Sequence, residues 1–319
     1  MTAIHVIKAG MLTTIQDRGR WGLQARGVPV AGPMDPCSHR LANALVGNDP
    51  GAATLEVTLV GPELELEGER LVAVAGADFE LAMDGRPVPM NAAFVVPTGA
   101  QLRFGRRARG TRAYLAVEGG IAVPPTLGSR ATHLISAMGG VEGRALKAGD
   151  RLPLGESRAR GMPAARAIGF GAPGTPILPL PDRQGRIRVL AGPQEDYFSA
   201  GALDTLQSAP YTISSTSDRM GFRLDGPKLT HAHGADIISD ATPLGALQVP
   251  ASGQPILLMA DRQTSGGYPK IATVISADIS VAGQLGPGDA ITFAVCSPRE
   301  AVAALIAQER ALMALEHHA

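Results

Sequence analysis

Along much of this chain apolar residues recur at alternate positions in short runs, and glycine, proline or an Asp-Gly pair closes each run. That is the pattern of β-strands joined by tight turns. The first run covers residues 4–8, and others follow at 54–60, 64–67, 71–75, 78–83, 92–96 and 101–104, separated by Gly61-Pro62, Gly68, Gly76, Asp84-Gly85 and Thr98-Gly99. The stretch 112–121 reads as a strand running into Gly119-Gly120. In the second half, strand-like stretches fall at 187–191, 211–215, 222–224, 246–250, 256–260, 271–276 and 290–295. Short strands at this spacing predict a mainly β fold of antiparallel barrel or sandwich type.

Helical signals are few. Asp35 is placed to cap a short helix, with Pro36 at its first position, Leu41, Ala42 and Leu45 as its buried stripe and Gly47 as its left-handed stop. A second short helix is expected to include Leu203 and Leu206. A closing helix opens at Ser297-Pro298-Arg299-Glu300, a capping box followed by an apolar face of Val302, Leu305, Ile306, Leu312 and Leu315.

One motif occurs twice. Leu146–Leu152 and Leu285–Ile291 both read Leu-x-x-Gly-Asp-x-apolar, offset by 139 residues from 146 to 285. Two related β domains, each closed by one copy, are the simplest account. Residues 1–155 form the first in this reading and 187–319 the second. The segment 156–186, rich in Pro, Gly, Ala and Arg without sustained periodicity, has linker composition.

Composition narrows the function classes. A chain of 319 residues with 45% hydrophobic content, 39 Gly and 25 Pro can build two turn-rich cores. Its formal net charge is zero, so no global field draws it to nucleic acid or to an anionic membrane, and a charged ligand must be met by a local site. Cys37 and Cys296 are its two cysteines, far apart and outside any Cys-x-x-Cys pattern, which suits a reducing compartment. The N-terminal residues lack a signal-peptide pattern and no window has the apolar length of a membrane span, so a cytoplasmic location is expected.

The densest chemistry lies in residues 260–272, Ala-Asp-Arg-Gln-Thr-Ser-Gly-Gly-Tyr-Pro-Lys-Ile-Ala, between two apolar runs. Asp261, Arg262, Gln263, Thr264, Tyr268 and Lys270 put an acid, a cation, an amide, a hydroxyl, a phenol and an amine around the Gly266-Gly267 pair. Lys270 is one of only four lysines among the 29 Lys and Arg residues, so it reads as placed for chemistry rather than solubility. A second charged cluster contains Asp218 and Arg219, and a third runs through Ser239-Asp240 and Gly245–Pro250. Loops at one end of a barrel can converge, letting Arg219 and Arg262 clamp a carboxylate or phosphate while Lys270 adds a point charge. The competing reading is that Asp-Arg pairs brace the turns. A possible second surface gathers Gln16, Asp17, Arg20, Asp35 and Asn43 in and after a glycine-rich stretch beside Trp21, the single tryptophan.

P-loop, Rossmann, serine-hydrolase elbow and zincin motifs are all missing. His231-x-His233 has strand spacing but no third ligand to complete a metal set, so no metal is predicted. No lysine sits in Met-Lys-Met, so covalent biotin is not predicted either.

The run Thr13–Asp35, the segments Leu41–Asn48 and Leu55–Leu59, Tyr114–Ile121 with Leu127–Arg130, Gly192-Pro193-Gln194, Ser217–Arg223, Ile238-Ser239-Asp240 and above all Ala260–Ala272 resemble the KipA family, known also as allophanate hydrolase subunit 2 or the C component of 5-oxoprolinase. The resemblance spans nearly the whole chain. It implies two cyclophilin-like β-barrel domains related to the carboxyltransferase part of biotin-dependent urea carboxylase. It also implies a KipI-like B component and a LamB/YcsF-type A component as partners, with which ATP and water convert 5-oxo-L-proline to L-glutamate. In that setting Arg219, Arg262 and Lys270 are expected to bind phosphate or the substrate carboxylate, Asp261 to orient one of them or a water, and Gln263 and Thr264 to supply neutral hydrogen bonds. Two alternatives stay open: a carboxyltransferase component acting on a separate biotin carrier, and a regulatory protein that binds a KipI-type partner.

Overall fold

The computed structural model describes residues 2–157 and 180–318 and is mainly β. Most of the expected linker, residues 158–179, lies outside the described residues. Its end does not: strand Gln184–Ala191 begins three residues before the expected second-domain start at 187. The chain divides into two compact units that are not contiguous halves. One comprises Met1–Arg20, Ala31–Leu180 and Arg310–Ala319, and the other Trp21–Val30 and Pro181–Glu309.

The first unit is organised by two long strands, Arg70–Met83 and Gln101–Val117, paired antiparallel from Val72 opposite Val117 to Met83 opposite Leu102. Sequence punctuation split each of these into two, at Gly76 and after residue 104. In the structure Gly76, at φ 106°, marks a register shift within a continuous ladder instead of a turn. The far edge of Gln101–Val117 pairs first with Glu63–Leu66 and then with Thr54–Thr58, and Leu12–Gln16, Ala3–Lys8 and Arg151–Pro153 extend the nine-stranded sheet. Asp84-Gly85, both at positive φ, makes the two-residue hairpin that the sequence indicated. Ile4, Ile15, Leu55, Leu64, Leu102 and Leu115 are fully buried in its core, each worth about 1.5–3 kcal/mol of burial. Helix Pro36–Leu45 begins as read: Asp35 Oδ1 accepts from Ser38 N at 3.0 Å, and Leu41, Ala42 and Leu45 pack against Tyr114 and Ala116.

The second unit holds a closed seven-stranded barrel. Around it run Gln184–Ala191, Lys270–Val274, Ala246–Gln248, Ile256–Leu258, Gly221–Asp225, Tyr211–Ile213 and Ala290–Val295, and the last strand pairs in parallel with the first. Ile187, Phe222, Leu247, Leu257, Ile271 and Ile291 are buried in it. A separate two-stranded ladder, Asp240–Ala241 with Ser265–Gly266, belongs to no barrel strand.

The repeated motif folds alike in both places. Gly149 and Gly288 sit at φ 89° and 85°, and the aspartate that follows bonds back across the turn, Asp150 Oδ2 accepting from Lys147 N at 2.7 Å and Asp289 Oδ2 from Gly286 N at 3.0 Å. Each turn delivers a strand, Arg151–Pro153 or Ala290–Val295, rather than forming a hairpin. The C-terminal helix Pro298–His318 has its capping box, with Ser297 Oγ accepting from Glu300 N at 3.3 Å and Ser297 N donating to Glu300 Oε2 at 2.8 Å. Its apolar face is only partly used: Leu312 is buried, whereas Val302 and Ile306 are exposed. No helix of the described residues is long and apolar enough to cross a membrane.

Candidate functional site

The 261–270 loop leaves barrel strand Ile256–Leu258 and returns as Lys270–Val274. Between them Ser265–Gly266 pairs with Asp240–Ala241, so the short ladder brings the 231–242 segment against the loop. Ile237 N donates to Gly267 O at 2.8 Å and Thr242 N to Thr264 O at 3.2 Å, extending that pairing in both directions. Gly266 suits this crossing: a Cβ there would lie 2.7 Å from Gln248 Nε2 and 3.2 Å from Gln263 Nε2. At Gly267 an added Cβ would meet only ordinary contacts.

Three cations expected to converge on a ligand have three different environments. Lys270, with its side chain 1% exposed, donates from Nζ to Asp240 Oδ2 at 2.8 Å. That hydrogen bond holds the Asp240 carboxyl below its ordinary pKa. Arg219 is bound instead by Asp261, Nε to Oδ2 at 3.0 Å and Nη2 to Oδ1 at 3.1 Å, and both side chains are buried. This bidentate geometry neutralises Arg219 within the protein. Arg262 is also buried, yet its guanidinium meets carbonyls, Nε to Thr242 O at 2.9 Å and Nη1 to Met259 O at 3.5 Å. Among the described residues no carboxylate lies in ion-pair range of it, and burial alone pulls its pKa down to about 10.

The amides complete the site. Gln194, from the turn Gly192-Pro193-Gln194, donates from Nε2 to Asp240 Oδ2 at 3.3 Å and accepts at Oε1 from Lys270 N at 3.2 Å. It therefore bridges both members of the lysine pair. Gln263 Nε2 donates to Gln248 Oε1 at 3.2 Å, and Gln248 Nε2 reaches Tyr268 O at 3.5 Å. Thr242 Oγ1 donates to Gln263 O. Tyr268 is 41% exposed.

Asp261, Arg262, Gln263, Thr264, Gly266, Gly267, Tyr268 and Lys270 thus lie on one braced loop, and Arg219 joins it through Asp261. Asp218 does not join: it accepts from Met220 N at 2.8 Å and Gly221 N at 3.3 Å, bracing its own turn. The side-chain roles of Asp240, Gln194 and Gln248 were not read from the sequence. Asp240 and Gln248 stood in a cluster that was noticed, but their partners are 30 and 15 residues away, and only strand pairing discloses such contacts.

The five residues of the expected second surface are all buried in the first unit. Gln16 donates to Thr14 Oγ1 and Thr132 O, Asp17 accepts from Gly19 N, Ser129 Oγ and Arg130 N, and Arg20 donates to Thr126 O and Ala131 O. These three hold the 126–132 segment. Asp35 caps its helix, while Asn43 donates to Ala52 O and accepts from Asn48. Gln16, Asp17 and Arg20 thus serve loop segments, while Asp35 and Asn43 serve the helix and the turn that follows it. His231 Nε2 lies 3.0 Å from Val249 O and its ring lies tilted against that of Phe198, while His233 meets Tyr197 edge-on.

Comparisons with known proteins agree with this architecture. The family model for the carboxyltransferase domain, subdomains A and B, matches residues 26–295. The chain is 40% identical over 309 residues to the C subunit of 5-oxoprolinase from Escherichia coli (strain K12), covering 96% of each chain. It is 37% identical over 298 residues to the C subunit of 5-oxoprolinase from Haemophilus influenzae, covering 93% of each. Among solved structures, the urea carboxylase of Kluyveromyces lactis superposes with a TM-score of 0.88 at 32% identity, over 98% of this chain and 29% of that one. A family model across most of the chain and full-length relatives well above 30% identity lead to one conclusion: this protein belongs to the carboxyltransferase domain family.

Proposed function

We propose that this protein is the C component of an ATP-dependent 5-oxoprolinase, working with a KipI-like B component and a LamB/YcsF-like A component in the cytoplasm. The observation that carries the reading is the 40% identity to the C subunit of a 5-oxoprolinase across 96% of both chains. The site is compatible with it. 5-Oxo-L-proline is a small lactam bearing a carboxylate, and its amide is stable enough that hydrolysis calls for activation. Transfer of the γ-phosphoryl group of ATP to the lactam oxygen releases ADP and lets one water add to that carbon and expel the ring nitrogen, leaving γ-glutamyl phosphate; a second water then displaces phosphate to give glutamate. Charge builds on that oxygen, and a pre-aimed cation such as Lys270, steadied by Asp240 and Gln194, is a suitable stabiliser. Gln263, Thr264 and the exposed Tyr268 are candidates for neutral contacts.

A second reading has its own support. The family model describes a carboxyltransferase domain, and the likeness to a urea carboxylase covers 98% of this chain. In that reading Lys270 serves carboxyl transfer from a biotin borne on another protein. The test is glutamate release from 5-oxoproline and ATP by the full chain with its candidate A and B partners, alone and in every combination. Release from the complete set only is the expected result. No release from any set, together with bicarbonate-dependent carboxylation in the presence of a biotin carrier, would overturn the first reading in favour of the second.

A further inference from the structure

The buried charges of the loop do not balance. Among the described residues Arg219 is matched by Asp261 and Lys270 by Asp240, which leaves the charge of Arg262 unmatched. Arg262 is 7% exposed, and taking a guanidinium out of water without a counter-charge is unfavourable. Its two hydrogen bonds among the described residues, to Thr242 O and Met259 O, use two of the five N–H donors it carries. Bracing two carbonyls needs only neutral donors, which a glutamine supplies without burying a charge. An arginine there has surplus charge and surplus donors together.

We propose that Arg262 is an oxyanion-binding subsite, its free donors receiving a small carboxylate or phosphate bidentately. Identifying the anion as the substrate carboxylate rests on the 5-oxoprolinase reading; the subsite itself does not. The location suits a ligand-binding role. Thr242, whose carbonyl holds Nε, lies two residues from Asp240, the partner of Lys270, and pairs through its own N–H with Thr264 O. The anion subsite and the lysine pair are thus fixed to one backbone ladder, so a ligand held at its anionic end can present its other end in a defined way. The desolvated setting strengthens any charge-assisted bond formed there. It follows that Arg219, expected from sequence to share the clamp, contributes structure and not ligand affinity.

The test is calorimetric titration of the full chain with three probes: 5-oxo-L-proline, 2-pyrrolidinone, which is the same lactam without the carboxylate, and inorganic phosphate. On the unmodified protein, 5-oxoproline should bind at least about tenfold more tightly than 2-pyrrolidinone. In Arg262→Gln that preference should vanish, with 2-pyrrolidinone unchanged, and Arg262→Lys should retain part of it. Phosphate binding that depends on Arg262, with no response to 5-oxoproline, would keep the subsite and remove 5-oxoproline as its ligand. Equal binding of 5-oxoproline and phosphate to wild type and Arg262→Gln, or no binding of either anion to wild type, would overturn the proposal. If Arg262→Gln fails to fold, Arg262→Lys decides: a reduced preference for 5-oxoproline over 2-pyrrolidinone supports the subsite, and a preference equal to that of wild type overturns it.

Discussion

Substituting Asp261 by alanine should destabilise the second unit far more than an ordinary loop change. The side chains of Arg219 and Asp261 are 3% and 2% exposed and share two hydrogen bonds at 3.0 and 3.1 Å. Removing the carboxylate strands a guanidinium in the interior, which costs about 3–5 kcal/mol. For a unit of this size that corresponds to a fall in melting temperature of about 6–20 °C. Urea denaturation followed by far-UV circular dichroism measures the change directly. The control is Arg219→Met/Asp261→Leu, which removes both charges and fills their volume; it should be at least about 2 kcal/mol more stable than Asp261→Ala, because an apolar replacement of a buried pair is often nearly neutral. If Asp261→Ala costs less than about 1 kcal/mol, or the double variant is no more stable than the single one, the pair is not the buried, mutually neutralising unit described above.

Lys270→Met should lower turnover of the assembled complex by about 10²–10³-fold if the amine faces developing charge; unchanged turnover would exclude it from the chemistry. The Asp240 carboxyl, held below its ordinary value of 3.8 by the Lys270 hydrogen bond, should titrate by carbon NMR below that value in wild type and return towards it in Lys270→Met, so that the contact persists at neutral pH and is lost only as pH falls through the depressed pKa. Gly192→Ala should destabilise more than Gly266→Ala, since a Cβ at 192 would stand 2.1 Å from the Lys270 carbonyl whereas at 266 it meets the movable end of Gln248 at 2.7 Å; equal denaturation midpoints would contradict this. His39 is fully buried against Thr54 and Asn43, and burial lowers its pKa from 6.5 to about 4. The unfolded chain therefore binds the extra proton first, and stability should fall as pH drops from 6.5 towards 4, by about 3 kcal/mol in all; an acid limb identical in wild type and His39→Gln would show that another group is responsible.

Local features of this fold were legible because their causes are local. The Asp35 and Ser297 caps, the Asp84-Gly85 hairpin and the paired Leu-x-x-Gly-Asp turns each depend on residues within a few positions of one another. The long strands Arg70–Met83 and Gln101–Val117 were not legible: in the first, Gly76 was absorbed as a register shift, and in the second the mostly exposed polar stretch 105–109 carries no apolar alternation, the partner ladder being invisible in the sequence. The site divides along the same line. Its loop was conspicuous from residue types alone, but the division of labour within it follows from partners far away in the chain. Asp261 and Arg262 are adjacent, and the competing reading of the sequence had such Asp-Arg pairs brace their own turns. In the folded chain the acid is taken by Arg219, 42 residues distant, while the cation is held by the carbonyls of Thr242 and Met259. Two chemically equivalent arginines thereby acquire opposite characters. The one whose charge is answered inside the protein holds the loop, and the one whose charge is not has reason to hold an anion.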